Sequence, residues 1–339
     1  MHAPALPVAA AVRASLGTRL GTFRRLGLVG ALLLAASAPL HAAPLSPLVE
    51  ATGTGSPVSL ENYRAFLPKV YATANARPLE AAWSPTRKTL KEIRVTLDGA
   101  GDGRFVAQSV SGARTTLACP DGGTAVASRA DASGVSTQLT VFRGCSVDGQ
   151  RLDGPVSWAP GRSELAVFGT AIGPTQSKAF SRTDASGLAT LVNGHRSASR
   201  TSDGGRSLYW SGDWGLKSGA STLAVSAMTL SAEGRDGNYR YKSDFRMSGA
   251  ATNGMDVPVA TFAPFENDYG PSFVRGYMQV LALKGPGASA GKIAISPAAD
   301  AADAFDLRID TVRAPGDLDT TEATVPQSFG GGPLKLGAR

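Results

Sequence analysis

Beyond Lys91 the chain alternates apolar and polar residues in short runs, and this period of two restricts the fold more than any other feature. Tyr239, Tyr241, Phe245 and Met247 alternate with Arg240, Lys242, Asp244 and Arg246. Phe305, Leu307 and Ile309 alternate with Asp306, Arg308 and Asp310, and Ile93, Val95 and Leu97 with Arg94 and Thr96. Successive side chains of a strand point to opposite faces, so such runs describe strands with one buried and one wet face, as in antiparallel sheets.

Turn residues punctuate the runs: Asp98-Gly99, Asp121-Gly122-Gly123, Asp148-Gly149, Asn193-Gly194, Asp203-Gly204-Gly205 and Asp236-Gly237. Each reads as a hairpin, because Gly and Asn supply the positive φ that tight turns need. About fifteen strands with no helices between them predict an all-β fold: a large curled antiparallel sheet, half-barrel or sandwich. One helical stretch precedes it. Leu60, Tyr63, Leu67, Val70 and Tyr71 share a helical face over 59–76, with Ser59 as N-cap and Pro68 as a kink, and form a short N-terminal cap. After Val312 the alternation stops, so 313–339 is expected to be a disordered tail.

The first 42 residues contain no Asp, Glu or Lys, and Arg24-Arg25 precede an apolar run from Leu26 to Leu40. That run is too short to span a bilayer comfortably and reads as a signal peptide cleaved after Ala42. The domain plan is then 1–42 signal, 43–90 N-terminal segment, 91–312 β domain and 313–339 tail. Localisation is expected to be periplasmic or secreted, with no membrane-spanning segment in the mature chain.

Cleavage changes the arithmetic of the chain. The formal charge of +7 falls to +3 once Arg13, Arg19, Arg24 and Arg25 leave, with 30 basic and 27 acidic residues remaining. No basic stripe with interleaved aromatics is visible, so a nucleic-acid partner is not expected. Of three histidines only His195 survives. A zinc site with two His ligands cannot form, and no cofactor is expected. His195 follows Asn193-Gly194 and reads as an exposed residue at a strand start. Cys119 and Cys145 are the only cysteines, and an even count in an exported chain reads as one disulfide. If the two end strands of a flat three-stranded meander carry them, they lie about 9.6 Å apart, too far for a bridge. Either loops pinch together above the middle strand or the sheet curls.

Few residues suggest chemistry. Tyr209, Trp210 and Trp214 bracket Ser211-Gly212-Asp213 and are candidate binding residues for a sugar ring or a partner. Asp98 and Asp102, in Asp98-Gly99-Ala100-Gly101-Asp102-Gly103, are candidate calcium ligands, although Ala100 and Ser109 stand where two main ligands belong. Gly287-Ala288-Ser289-Ala290-Gly291 matches a nucleophile-elbow pattern, but Lys292–Ile295 reads as a strand where a helix is required. No catalytic residue is assigned.

The cysteine segment, Cys119-Pro120-Asp121-Gly122-Gly123, Phe142-Arg143-Gly144-Cys145 and Gly149-Gln150-Arg151-Leu152-Asp153-Gly154-Pro155-Val156, resembles a pattern in uncharacterised exported proteins of Gram-negative bacteria. The resemblance covers some forty residues and implies an all-β envelope protein with a disulfide, but no activity. Members are often lipoproteins, whereas this chain has no cysteine near the cleavage site. The expected function is a non-catalytic binding or structural module of the cell envelope, with lipid or glycan as partner and a curved sheet suited to an apolar ligand. The alternatives are a glycan hydrolase using Asp213, Glu266 and Asp268, since paired carboxylates need no histidine, and a surface adhesin.

Overall fold

Leu79, Trp83, Thr86, Leu90 and Ile93 recur every three or four residues, and this stripe winds Arg77–Leu97 into helix α1. In the computed structural model the described residues are 69–326, apart from 71, 102, 133, 172–176, 236–237, 250–256, 268–272, 283–289, 302–303 and 315–316. Pro85 stands inside α1, and the hydroxyls of Thr86 and Thr89 donate to the carbonyls of Ala82 and Pro85 around it. The helix expected over 59–76 falls mostly outside the described residues; of it, 69–70 and 72–74 are helical. Ile93, Val95 and Leu97, expected in a strand, form the last turns of α1, because a five-residue alternation yields to the longer stripe that Ile93 completes. Asp98-Gly99 is accordingly no hairpin. Asp98 caps α1, Gly99 takes a φ of 77°, and the Ala100 N–H reaches back to the Val95 carbonyl.

The strands after α1 run β1 Val106–Ser111, β2 Arg114–Ala118, β3 Thr124–Ala132, β4 Val135–Val147, β5 Gln150–Ala159 and β6 Ser163–Phe168. Next come the two-residue strands β7 Thr170–Ala171 and β8 Ser177–Lys178, then β9 Phe180–Thr183, β10 Ala189–Arg200, β11 Arg206–Ser218 and β12 Ser221–Arg235. The last are β13 Asn238–Ser248, β14 Val257–Asn267, β15 Phe273–Ala282, β16 Ala290–Pro297, β17 Ala304–Ala314 and β18 Asp317–Pro326. Strand β18 corrects the expected tail: its alternation is weak because Thr and Asp fill it, yet it pairs with β17 along its length.

All but β7 and β8 belong to one antiparallel sheet of 16 strands, paired almost wholly in chain order. The exception is local. Both β6 and β9 pair with β5 on one side and β10 on the other, closing a ring of four strands. Phe168 lies opposite Val156 and Phe180 opposite Val192, so β6 and β9 form one composite strand that the chain leaves and rejoins through β7–β8.

Register shows how α1 sits. Gln138, Trp158, Ala166, Arg196, Trp210 and Leu230 are successive partners across β4, β5, β6, β10, β11 and β12, forming one row on the inward face. Glu80 meets Trp210 on β11, while Arg94 meets Ser136 on β4. Fourteen helical residues rise about 21 Å. Four interstrand steps span about 19 Å. The helix therefore lies across the strands, along that row. Strands β13–β17 extend beyond this cover, yet Tyr241, Phe245, Phe265, Phe273, Phe305 and Leu307 are buried in the same core. A flat sheet would expose them, so the sheet curls and covers its own inward face. Tyr241 stacks on Phe265 at 5.5 Å, and Phe273 on Phe305 at 6.3 Å.

The disulfide joins Cys119 and Cys145 with Cα atoms 5.5 Å apart. The first of the two expected routes is met only by half: Cys119 lies in a turn, whereas Cys145 lies within β4, paired with Leu152. Strand β3 begins only at Thr124, opposite Arg143, so β4 runs on past its neighbour. The 119–123 turn folds into the gap and pairs with that extension: the Asp121 N–H donates to the Ser146 carbonyl, and the Ser146 N–H to that of Gly122. The cysteines thus meet beyond the start of the middle strand.

Replacing Cys119 and Cys145 by Ser should lower stability by about 3–4 kcal/mol, the entropy of opening a loop of this length. Urea unfolding checks the loss, and two thiols alkylated in denatured, unreduced wild-type protein would contradict the bridge.

Candidate functional site

The most elaborate polar constellation lies under α1, not in a loop. Arg196, on the inward face of β10, is buried with its guanidinium 5.5 Å from the ring centre of Trp83 and 6.0 Å from that of Trp210. Its Nε and Nη2 donate to the two carboxylate oxygens of Glu80 at 2.8 and 3.2 Å, and Nη1 to Glu164 at 3.0 Å. Trp210 Nε1 donates to Glu80 at 2.7 Å, Trp158 Nε1 to Glu164 at 3.1 Å, and Arg87 Nε to Glu164 at 2.5 Å. Glu80, Trp83 and Arg87 are spaced three and four residues apart and share the face of α1 that meets the sheet. Trp158, Arg196 and Trp210 come from the register row, and Glu164 lies two residues before Ala166 on β6.

Chemically the arrangement is a charge latch. It holds two carboxylates together, as a glycosidase does, but the same arginine bridges both and indoles cover it, so its geometry serves docking of α1. Sequence reading missed this cluster, whose members come from five elements; the signal available was the α1 stripe with Glu80 and Arg87 flanking Trp83.

The expected aromatic site is corrected by the same register. Tyr209, Trp210 and Trp214 all lie within β11, and Trp210 and Trp214 are 2% and 1% exposed. Trp214 donates to the sulfur of Met228, and Trp210 stacks on Phe168 at 5.5 Å. Neither indole face is open to a sugar. Asn193-Gly194 is no turn either: it lies inside β10, Gly194 pairs with Gly212, and a Cβ at Gly194 would come within 2.2 Å of the Ser211 carbonyl oxygen. Glycine in a strand here permits close approach of two backbones. Tyr209 is half-buried, its ring 5.2 Å from that of His195. His195 is consequently mid-strand and half-buried, with Nδ1 2.9 Å from Ser211 Oγ. Burial holds its imidazole below the ordinary range.

The remaining candidates disperse. Asp98 pairs with Arg129 at 2.5 Å, and Asp102 lies outside the described residues; among the described residues no three His, Cys, Asp or Glu side chains gather to hold a metal. Asp213 is buried on β11 and accepts the Ala227 N–H at 2.8 Å; burial pushes its carboxyl up, against the effect of that bond. Glu266, the last residue but one of β14, lies between Arg240 and Arg275, and Asp268 lies outside the described residues. Of the nucleophile-elbow pattern, Gly287, Ala288 and Ser289 also lie outside, and Ala290 opens strand β16. An aromatic pair that does face solvent is Phe262 with Tyr277, 6.1 Å apart, Phe262 being 61% exposed.

Two open clefts mark the surface. One, of about 440 Å³, lies between α1 and the turns after β4 and β9, where Lys88 and Arg182 face Asp148 and Asp184. The other, of about 730 Å³, lies where β10–β11 and β12–β13 turn, and is lined by Arg206, Arg235 and Arg240 with Glu233.

Comparison with protein-family models, curated proteins and solved structures returns no match.

Two outcomes test this account. Arg196→Met should cost about 3 kcal/mol in urea unfolding, since it leaves buried carboxylates without their shared counter-charge. Adding Glu80→Gln and Glu164→Gln should recover most of that loss. The second concerns Asp213, whose carboxyl titrates higher in the folded chain than in the unfolded one. Its stabilising effect is therefore full at acid pH and lost as pH rises through the folded value. The urea midpoint of Asp213→Asn relative to wild type should rise between pH 4 and pH 7.

Proposed function

We propose that the chain is an exported, non-catalytic structural or binding module of a Gram-negative cell envelope that meets its partner on the surface of the sheet. The observation that carries the reading is the Arg196 latch: the carboxylate pair best built for chemistry is spent on holding α1 to the sheet. The bridge between Cys119 and Cys145 supports an oxidising compartment. No helix among the described residues is long and apolar enough to cross a membrane. The inward aromatic side chains contact one another, Phe168 with Phe180 at 5.6 Å and Phe142 with Phe180 at 6.2 Å, so the partner is taken to lie outside the curl.

The test is expression of the full chain in a Gram-negative host, followed by fractionation and mass spectrometry. The protein is expected in the periplasm or medium with Ala43 as its first residue. Recovery in the cytoplasm with Met1 retained would overturn the export reading. Release of reducing ends from cell-wall glycan that vanishes in Asp213→Asn would replace the module by the hydrolase.

A further inference from the structure

We propose that the outer face of β14 and β15 binds a neutral glycan, with Phe262 and Tyr277 stacking on the apolar face of a sugar ring. The inference deepens the reading of the chain as an exported binding module, on which it rests, by naming the ligand's chemistry and its place on the sheet.

Alternation lays out the surface. Val259 and Thr261 of β14 and Met278 and Val280 of β15 are buried, so Ala260, Phe262, Tyr277 and Gln279 face outward. A bulge interrupts β14 here: Thr261 pairs with Met278 and Ala263 with Tyr277, which leaves Phe262 as the extra residue. The bulge is anchored from beneath. The Thr261 hydroxyl donates to the Ser243 carbonyl at 2.7 Å and accepts the Ser243 N–H at 3.2 Å, while the Thr261 N–H donates to Asp244 at 2.9 Å. An anchored bulge fixes the direction of its extra side chain, and Phe262 stands 61% exposed. Its ring lies 6.1 Å from that of Tyr277, whose hydroxyl accepts the Gln279 amide N–H at 2.6 Å. Both rings are held before a ligand arrives, which lowers the ordering cost of binding.

The surroundings select a neutral ligand. Asp244, Ala260, Gln279, Ala294 and Arg308 are successive partners from β13 to β17, an outward row about 19 Å long. Alanine on either side of Gln279 leaves low ground beside the aromatic pair, where the Gln279 amide and the Tyr277 hydroxyl can meet sugar hydroxyls. The cations at the ends of this surface are matched: Lys242 by Asp244 at 3.7 Å and Arg308 by Asp310 at 3.1 Å. A nucleobase stacks on aromatic rings as well, but its phosphates call for cations that are not already paired. Of the other large apolar side chains exposed among the described residues, only Val274 belongs to β14 or β15. The apolar area is therefore far below the roughly 800 Å² that each partner of a stable protein interface buries. One face of a sugar ring asks for no more than this pair offers.

Chitohexaose and cellohexaose, an N-acetylated and a plain neutral glycan, would be titrated into the mature protein and read by saturation-transfer NMR. At least one should bind, with the strongest transfer at ring C–H protons and with an affinity that does not change between about 50 and about 300 mM salt. The tighter of the two separates an N-acetylated wall glycan from an unacetylated polysaccharide. Phe262→Ala should weaken binding about tenfold, as a large apolar contact is lost, and Tyr277→Phe several-fold. Phe262 is exposed, so its replacement leaves the core intact, and Val110→Ala, at an exposed site on β1, should change nothing. Binding of neither glycan, equal binding by Phe262→Ala, an equal loss in Val110→Ala, a steep fall with salt, or tighter binding to phosphatidylglycerol vesicles would each overturn the proposal. An exported protein that fails these titrations loses the ligand and keeps the compartment; a cytoplasmic one that passes them does the reverse.

Discussion

Burying a guanidinium is the act on which the rest of this structure depends. Arg196 cannot shed its charge, so its donors and its two faces must all be matched where water is excluded. Glu80 and Glu164 match the donors, and Trp83 and Trp210 flank the guanidinium. These demands are geometric. They require Glu80 over β11, Glu164 two residues from the row that carries Arg196, and Trp83 one helical turn after Glu80. An amphipathic helix can slide or rotate on an apolar face at little cost, whereas one tied by a two-point carboxylate–guanidinium pair has one register. The apolar stripe of α1 supplies most of the driving force, about 2 kcal/mol for each large side chain buried. The latch supplies the address.

Alternation was a good guide where strands are long and a poor one where they are interrupted. Tyr239–Met247 and Phe305–Ile309 lie in β13 and β17 as their pattern demands. Ile93–Leu97 misled because three alternating apolar residues fit a helix as well as a strand, and only the stripe back to Leu79 separates the two. Asn193-Gly194 and Asp98-Gly99 misled for a related reason. A glycine beside Asn or Asp reports a backbone need, and a tight hairpin, a helix end and a close strand pair all share it. The aromatic residues of β11 were read as flanking a turn because Gly212 interrupts them. In the sheet Gly212 is where two backbones crowd, within a continuous strand whose alternation places Trp210 and Trp214 inward on either side. The candidate site was less legible than the fold, since the latch is assembled from elements far apart in sequence, Glu80 to Trp210, and only register brings them together.

Two ties act on the first half of the sheet at different points. The bridge fixes the turn after β2 to the far end of β4, and α1 spans β4 to β11 across the inward face. The composite β6–β9 strand lies between β5 and β10, its β6 part under α1, and there the chain leaves the ladder and re-enters without breaking the pairing of β5 and β10 with their neighbours. Among the described residues the second half has neither bridge nor helix. Its inward face relies on Tyr241, Phe265, Phe273 and Phe305, whose rings pack edge to face or stacked. Aromatic packing is thus common to both halves, and the first adds a bridge and an ionic tie.

This division bears on where recognition can occur. Several inward polar groups are committed: Arg196 to two carboxylates, the Gln138 amide N–H to the Leu90 carbonyl, the Thr261 hydroxyl to the Ser243 carbonyl. Outward rows carry charges of alternating sign, with Glu233, Arg240, Glu266 and Arg275 successive partners from β12 to β15. Along such a row each charge has a neighbour of opposite sign, and the summed field a few ångströms away is small. The compensation continues to the strand ends, where Asp203 meets Arg235 and Glu266 meets Arg240.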